Sequence, residues 1–405
     1  MLSCQKAKTE EPEKMALRGT NQEFGRPYNR RIVLEAIRQH GPVARADIAG
    51  RVGLTVQTVS NIIRELEDQG YIAGVRETPK SRGYPATNLS INPDGGYAIG
   101  INITPLGIEA ALINLAGEVV TREQRKLSHP SPEMAFREIF GLVKEFKNAK
   151  SGRRMLGIGL AMPGPFDVES MSFVGPTTLE GWKGVEVQQR LAEGSNLPAF
   201  IEVDHAAAAL GERLYGAGRN FRDFYYLYFG VGLGGCMVQD GQPLRGSFRN
   251  AGEIGHLPLV PDGEPCPCGN RGCLERYLSL EAYERRTKLI GVAGWIAESA
   301  PLFRSAIVTI ENLFDPETII IGGLVNEALL ANFVAASEPL SNSISKRENR
   351  TAPRLIHSTV GNDAVLRGAA ALAISGVLSP RFGVQFTQAD ASEQRDPMFK
   401  RVEAA

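Results

Sequence analysis

The sequence predicts an α/β protein: a small helical domain near the N-terminus, then a larger two-lobed domain of alternating strands and helices. Three observations carry that reading. Helical periodicities separated by a short turn fill the stretch after Arg26, strands and helices alternate from about Gly95 onward, and a cysteine-rich loop interrupts the second half. With 405 residues, 43% of them hydrophobic, the chain can bury more than one core, and ordinary domain sizes divide it into a few units. Composition sets the boundaries at a flexible tail over 1–25, a helical domain over 26–92, a two-lobed domain over 93–385 and a second tail over 386–405.

The first tail is polar, mixed in charge and without periodicity. Order is predicted from "NRRIVLEAIRQHG", an amphipathic helix with Ile32, Val33, Ala36 and Ile37 on one face and Gly41-Pro42 as its stop. "RADIAGRVG" predicts a second, short helix burying Ile48, Ala49 and Val52, and Gly53 permits the turn into "LTVQTVSNIIRELEDQG". There Val56, Val59, Ile63 and Leu66 recur at helical spacing, and Thr55 is the predicted N-cap. The face left over carries Gln57, Thr58, Ser60, Asn61 and Arg64, short amide and hydroxyl side chains with one cation, which suit base edges and phosphates in a major groove. Beyond Gly70, "YIAGV" and "ATNLSIN" read as two strands joined by "RETPKSRGYP", a wing whose tip carries Lys80 and Arg82. Residues 26–90 hold ten Lys/Arg against six Asp/Glu, whereas the whole chain balances 45 against 45. The positive charge is local, as a winged helix-turn-helix bound to operator DNA requires.

Overall neutrality excludes a general field drawing nucleic acid or membrane to the chain. No apolar run reaches the roughly 18 residues of a membrane span, and "MLSCQKAKTEEPEK" is too polar for a signal peptide. The expected compartment is the cytoplasm, with no membrane partner. Thiols stay reduced there, so the crowding of Cys266, Cys268 and Cys273 into "CPCGNRGC", with His256 upstream, predicts a metal site. Three thiolates and one imidazole complete a tetrahedron and leave no open position, the pattern of a structural zinc. Such a zinc would hold Glu253, before it, and Glu275, after it, in fixed relation. Cys4 and Cys236 stand outside the cluster.

In the larger domain "YAIGINI" and "GIEAALINLAGEVV" predict a hairpin, "SPEMAFREIFGLVKEFKNA" a helix, and "MLGIGLAMPG" a buried strand ending in a Pro-Gly loop. "PAFIEVDHAAAALGERLYGAG" predicts a strand delivering Asp204 to a helix start, and "FYYLYFGVGLGGCMVQDGQPL" a hairpin with Gly230, Gly232, Gly234 and Gly235 at its turn. "ETIIIGGLVN" adds another strand running into a glycine pair. Two lobes whose glycine turns face a common cleft suit a ligand bound between them.

Taken in order, "PGPFD", "VDHAAAALGE", "GVGLGG", "NAGEIGHLPL", "CPCGNRGCLE" and "IIIGG" resemble the ROK family of bacterial sugar kinases and sugar-responsive repressors, over about residues 95–380. The resemblance implies an actin-like pair of ribonuclease-H-like lobes with a structural zinc on His256, Cys266, Cys268 and Cys273. It implies that Asp204 occupies the position of the kinases' catalytic base, and that Glu253, His256 and Glu275 bond the hydroxyls of a sugar ring. The winged helix-turn-helix ahead of it belongs, in that family, to the transcription regulators.

Departures from the family pattern point the same way. Where the kinases carry an Asp-x-Gly-Gly-Thr loop around ATP phosphates, this chain has Asn102-Ile103-Thr104-Pro105, which removes a carboxylate and a donor. Phosphoryl transfer depends on positioning and charge neutralisation, so no ATP and no catalysis are expected, with Asp204 a vestigial base. Val203 replaces the asparagine of the family's Asn-Asp pair, and Thr178 stands where an asparagine commonly contacts the ligand. The reading is a sugar-sensing DNA-binding regulator, a repressor, acting as a homodimer or dimer of dimers on a sugar or sugar-phosphate effector. The alternatives are a sugar kinase with an accessory DNA-binding domain, and a regulator controlled by a protein partner.

Overall fold

The computed structural model describes residues 26–76, 87–167, 172–173, 179–345, 350 and 352–378, and the chain packs as two compact units. One spans the residues through Gly96 together with those from Gly376, and the other runs from Tyr97 to Ser375.

The first unit opens with α1 (Arg26–His40), α2 (Arg45–Val52) and α3 (Val56–Asp68). Ile32, Val33, Ala36 and Ile37 of α1, Ile48, Ala49 and Val52 of α2, and Val59, Ile63 and Leu66 of α3 are buried as the periodicity predicts. Gly53 closes α2 in the left-handed conformation at φ 68°, a geometry that costs glycine least. The Thr55 hydroxyl accepts the Thr58 N–H at 3.1 Å and caps α3. Val56 departs from expectation: it is 53% exposed. It lies on the first turn of α3, at the open end of the core, where Leu54 from the preceding turn is buried, and Ile62 joins the inner face further along. Strands β1 (Ile72–Arg76) and β2 (Thr87–Ile91) pair antiparallel, with Ile72 opposite Ile91, and Val43 bridges to Leu89 beside them. Lys80 and Arg82, at the wing tip, lie outside the described residues.

In the second unit, β3 (Tyr97–Thr104), β4 (Gly107–Asn114) and β5 (Val119–Lys126) form an antiparallel meander where a hairpin was expected. The extra turn is made by Asn114, whose Oδ1 accepts the N–H groups of Ala116 and Glu118, both at 3.0 Å. Helix α4 (Pro132–Ala149) and strand β6 (Met155–Met162) follow, then the two-residue strands β7 (Phe166–Asp167) and β8 (Ser172–Phe173), helix α5 (Val187–Ser195) and strand β9 (Ala199–Val203). Strands β6 and β9 extend the sheet in parallel, giving the order β5-β4-β3-β6-β9. Helix α6 (Asp204–Tyr215) then leaves this lobe.

The chain repeats the design. Strands β10 (Phe224–Phe229), β11 (Leu233–Gln239) and β12 (Gln242–Pro243) form a meander, and after α7 (Leu280–Phe314) come β13 (Thr318–Gly323), α8 (Glu327–Ala336) and β14 (Leu355–His357). The order β12-β11-β10-β13-β14 reproduces the first sheet, with β13 and β14 parallel additions, and α9 (Ala364–Leu378) matches α6. Strand β10 shows why its sequence is apolar throughout: Tyr225, Leu227 and Phe229 join the core under α7 and α8, while Phe224, Tyr226 and Tyr228 join the core shared with the first lobe.

That shared core is crossed by α6 and α9. A methyl group on Gly211 would lie 2.1 Å from the Ala364 carbonyl oxygen, and one on Gly368 would lie 1.7 Å from that of Ala207. Only glycine at both positions lets the helices meet this closely. Among the described residues no helix is long and apolar enough to cross a membrane.

Candidate effector site and metal cluster

Strand β9 ends and α6 begins at Asp204, and its Oδ1 accepts the His205 backbone N–H at 2.7 Å. The segment after β12 brings Glu253 and His256 toward it, and the cysteine loop returns Glu275. His256 stands between two carboxylates: its Nε2 is 4.0 Å from Glu253 Oε2 and its Nδ1 is 3.5 Å from Glu275 Oε1. Gly164, in the Pro-Gly loop after β6, backs onto Glu253 and Val203, a methyl there coming within 3.0 Å of both. Glu275 in turn backs onto Gly232 in the β10–β11 turn. Glu253 thus lies within electrostatic reach of Asp204, His256 and Glu275, and Thr178 lies outside the described residues.

Burial, with the charges of Asp204 and Glu275 behind it, pushes the Glu253 carboxyl upward against the pull of His205 and His256. A carboxyl so placed gains from donors that a polyol supplies, and each carboxylate can accept two hydroxyls of a vicinal diol.

Four residues escaped the sequence reading. His205 is 3% exposed, its Nδ1 lies 3.5 Å from Asp204 Oδ1, and its buried Nε2 has no hydrogen-bond partner. Burial pushes this imidazole down, but Asp204, Glu253 and Glu202 outweigh it and raise it above its ordinary value. Glu202, 1% exposed, takes Arg245 Nε at 2.8 Å and Arg249 Nη2 at 3.3 Å on the same oxygen. Burial pushes Glu202 up, and the two guanidinium groups overcome it and hold the carboxyl low. The only local signal was a histidine and a glutamate on either side of Asp204.

The metal-binding expectation rests on donor atoms. Those of His256, Cys266, Cys268 and Cys273 all lie within 4.8 Å of one another. Cys266 Sγ is 3.5 Å from His256 Nδ1, and Cys268 Sγ is 3.6 Å from Cys273 Sγ. The imidazole thus turns Nδ1 to the thiols and Nε2 to Glu253. Burial opposes ionisation of Cys268, but the Asn270 backbone N–H and the neighbouring thiols draw it down to about 7, toward the thiolate a metal needs. This donor set could hold a metal ion, and three sulfurs with one ring nitrogen fit a tetrahedral divalent cation.

The glycine-rich half of the cleft differs. Pro105 has no N–H, and the Leu106 N–H is taken by Thr104 Oγ1 at 3.1 Å. In the opposite turn the Gly230 N–H goes to the Gly232 carbonyl at 3.0 Å; Gly234 and Gly235, expected at that turn, lie instead on β11, where the Gly235 N–H goes to the Gly252 carbonyl at 2.8 Å. The N–H groups of Leu106, Gly230 and Gly235 are thus bonded within the protein.

A winged helix-turn-helix on the same chain as a two-lobed α/β domain whose carboxylates gather around His256 defines a class: DNA-binding regulators that answer to a small ligand. The chain belongs to the ROK family, whose profile matches residues 98–375, and a winged helix-turn-helix DNA-binding profile matches residues 27–73. It is 26% identical to the xylose repressor of Bacillus subtilis (strain 168) over 380 residues, which is 88% of this chain and 98% of that protein. Among solved structures it resembles a ROK family transcriptional regulator, homologue of the E. coli MLC protein, at 25% identity and a TM-score of 0.71, covering 89% of this chain and 98% of that one. It also resembles the ROK hexokinase of Thermus thermophilus, at 26% identity and a TM-score of 0.55, but that likeness covers only 68% of this chain while taking in 96% of the hexokinase.

Proposed function

We propose that this protein is a sugar-responsive DNA-binding repressor. The observation that carries the reading is the joining, in one chain, of a winged helix-turn-helix to a site where Asp204, Glu253, His256 and Glu275 converge. Gln57, Thr58, Ser60, Asn61 and Arg64 of α3 meet the operator's major groove, and Lys80 and Arg82 its backbone. Thr58 takes a double role, because its hydroxyl already shares a 2.8 Å hydrogen bond with Thr55. The effector is a sugar or sugar derivative gripped by the four converging residues together with Thr178. His256, Cys266, Cys268 and Cys273 would hold a structural zinc, which fixes the His256 segment against Glu275 and supplies no chemistry of its own. The replacement of the phosphate loop by Asn102-Ile103-Thr104-Pro105 and the relative from B. subtilis, a repressor, support a regulator over a kinase.

The repressor acts as a dimer, pairing two winged domains on half-sites about one helical turn apart. Sugar and operator bind different states of the protein, so each weakens the other by the same factor. The test is binding of the purified chain to DNA from upstream of its own gene, at one stated salt concentration, against a panel of sugars and sugar phosphates. Release by one sugar is the expected outcome and identifies the effector. Operator affinity indifferent to every sugar defeats the sugar reading and leaves a regulator captured by another protein.

A further inference from the structure

Among the described residues from 26 to 92, Val56 is the one large apolar side chain left in water, and it sits on the first turn of α3. Leu54 before it and Val59 after it are buried, so the core holds this turn in place. The Thr55 hydroxyl accepts the Thr58 N–H at 3.1 Å and shares a 2.8 Å hydrogen bond with the Thr58 hydroxyl, which fixes the backbone on either side of Val56. Val56 stands one helical turn before Ser60 and next to the exposed Gln57, and so flanks the polar face of the helix. The other end of α3 is engaged within the domain: Arg30 of α1 meets Glu65 at 3.3 Å, and Arg45 of α2 meets Glu67 at 3.8 Å. Glu65, Glu67 and Asp68 crowd that last turn, where they would repel phosphates, whereas the first turn holds no acidic residue and carries the positive end of the helix dipole. The first turn is therefore the end that faces DNA, and the residues there are the ones that reach base edges in a major groove.

We propose that Val56 reads a thymine in each operator half-site, its methyl groups packing on the thymine C5 methyl in the major groove. This rests on the repressor reading and adds to it a contact that the amide and hydroxyl side chains of α3 make poorly. Thymine alone among the four unmodified bases presents a methyl group there. An amide packed on that methyl gives up water without gaining a hydrogen bond, whereas an isopropyl group has no polar atom to desolvate, and both apolar surfaces leave water together. The same side chain offers nothing to the donors and acceptors of the other bases, so exposure that is unfavourable in the free protein becomes discrimination on the operator.

The test uses the full chain without sugar, and a synthetic duplex covering the segment that it protects upstream of its own gene. Each thymine is replaced in turn by deoxyuridine, which pairs identically and lacks only the methyl. The duplex carries no methylated cytosine, so any methyl detected belongs to thymine. At one position in each half-site the replacement weakens wild-type binding about three- to tenfold, the scale of burying one methyl group. Val56→Ala melts with the wild type, because the side chain is exposed, binds the thymine duplex more weakly by a similar factor, and is indifferent to deoxyuridine at that position alone. A flat deoxyuridine scan of the wild type overturns the proposal without recourse to any variant. A deoxyuridine effect of the same size in Val56→Ala does so too. Both results leave the repressor reading standing, whereas a wild type that protects no specific segment overturns that reading and this contact with it.

Discussion

The two halves of the cleft are built from similar materials and left in opposite states. On the effector side, Glu253 is held with a raised affinity for its proton, and the buried Nε2 of His205 has no partner within the protein. On the glycine side, the Leu106, Gly230 and Gly235 N–H groups are all satisfied internally. A glycine-rich turn by itself therefore says little about ligands, because what matters is whether its donors point outward. In this chain the same two-lobed body sets a buried carboxyl and an unpartnered imidazole nitrogen on one side against N–H groups bonded within the protein on the other.

The largest expected effect falls on the four donor residues proposed to hold a metal. Cys273→Ser, at a fully buried thiol, should take bound metal from one ion per chain to almost none, and lower the melting temperature on the order of 10 °C, read by metal analysis and calorimetry. A control outside both halves comes next. Glu311 is fully buried, receives Arg354 at 2.8 and 2.6 Å and Arg350 at 3.3 Å, and its removal should cost about 3–5 kcal/mol in denaturant unfolding. Burial pushes the Glu311 carboxyl up, but the two guanidinium groups win and hold it below its ordinary value. Its stabilisation is therefore complete above the unfolded-state value and is lost as pH falls through the lower folded-state value, so acid should destabilise the wild type more steeply than Glu311→Gln.

Asp204→Ala sharpens the comparison within the cleft. It should weaken effector binding about 100-fold, by stranding the sugar hydroxyl it accepts, while operator affinity without sugar stays within about twofold. The smaller effects fall in the DNA-binding unit. Asn61→Ala should weaken operator binding by about 1–3 kcal/mol without moving sugar affinity. Thr55→Ala, which removes the cap of α3, should lower the stability of that unit by about 1 kcal/mol, seen as faster amide exchange at Thr58.

Local signals in the sequence predicted what local physics decides. Thr55, Gly53 and the spacing of Val59, Ile63 and Leu66 specify the helix-turn-helix, because capping and periodicity act within a few residues. The cysteine spacing brought three sulfurs together for the same reason, while His256 reaches them through the bridge between Pro258 and Cys273. What went unread depends on which face meets which partner. Val56 has the right spacing but lies past the end of the core, and "FYYLYF" gives no hint that Tyr228 faces another lobe while Tyr225 faces α7. The pairing of Arg245 and Arg249 with Glu202 joins residues more than forty positions apart, beyond any spacing rule.

Helix α6 carries Asp204 on its first residue and meets α9 at Gly211, so the carboxylate sits at the tip of a lever about 10 Å long whose fulcrum is bare backbone against backbone. The neighbouring residue closes the joint: Glu212, fully buried, accepts the Ser358 hydroxyl at 2.7 Å and the Thr359 N–H at 3.1 Å, so the far end of α6 is tied to the second lobe while its first residue carries Asp204.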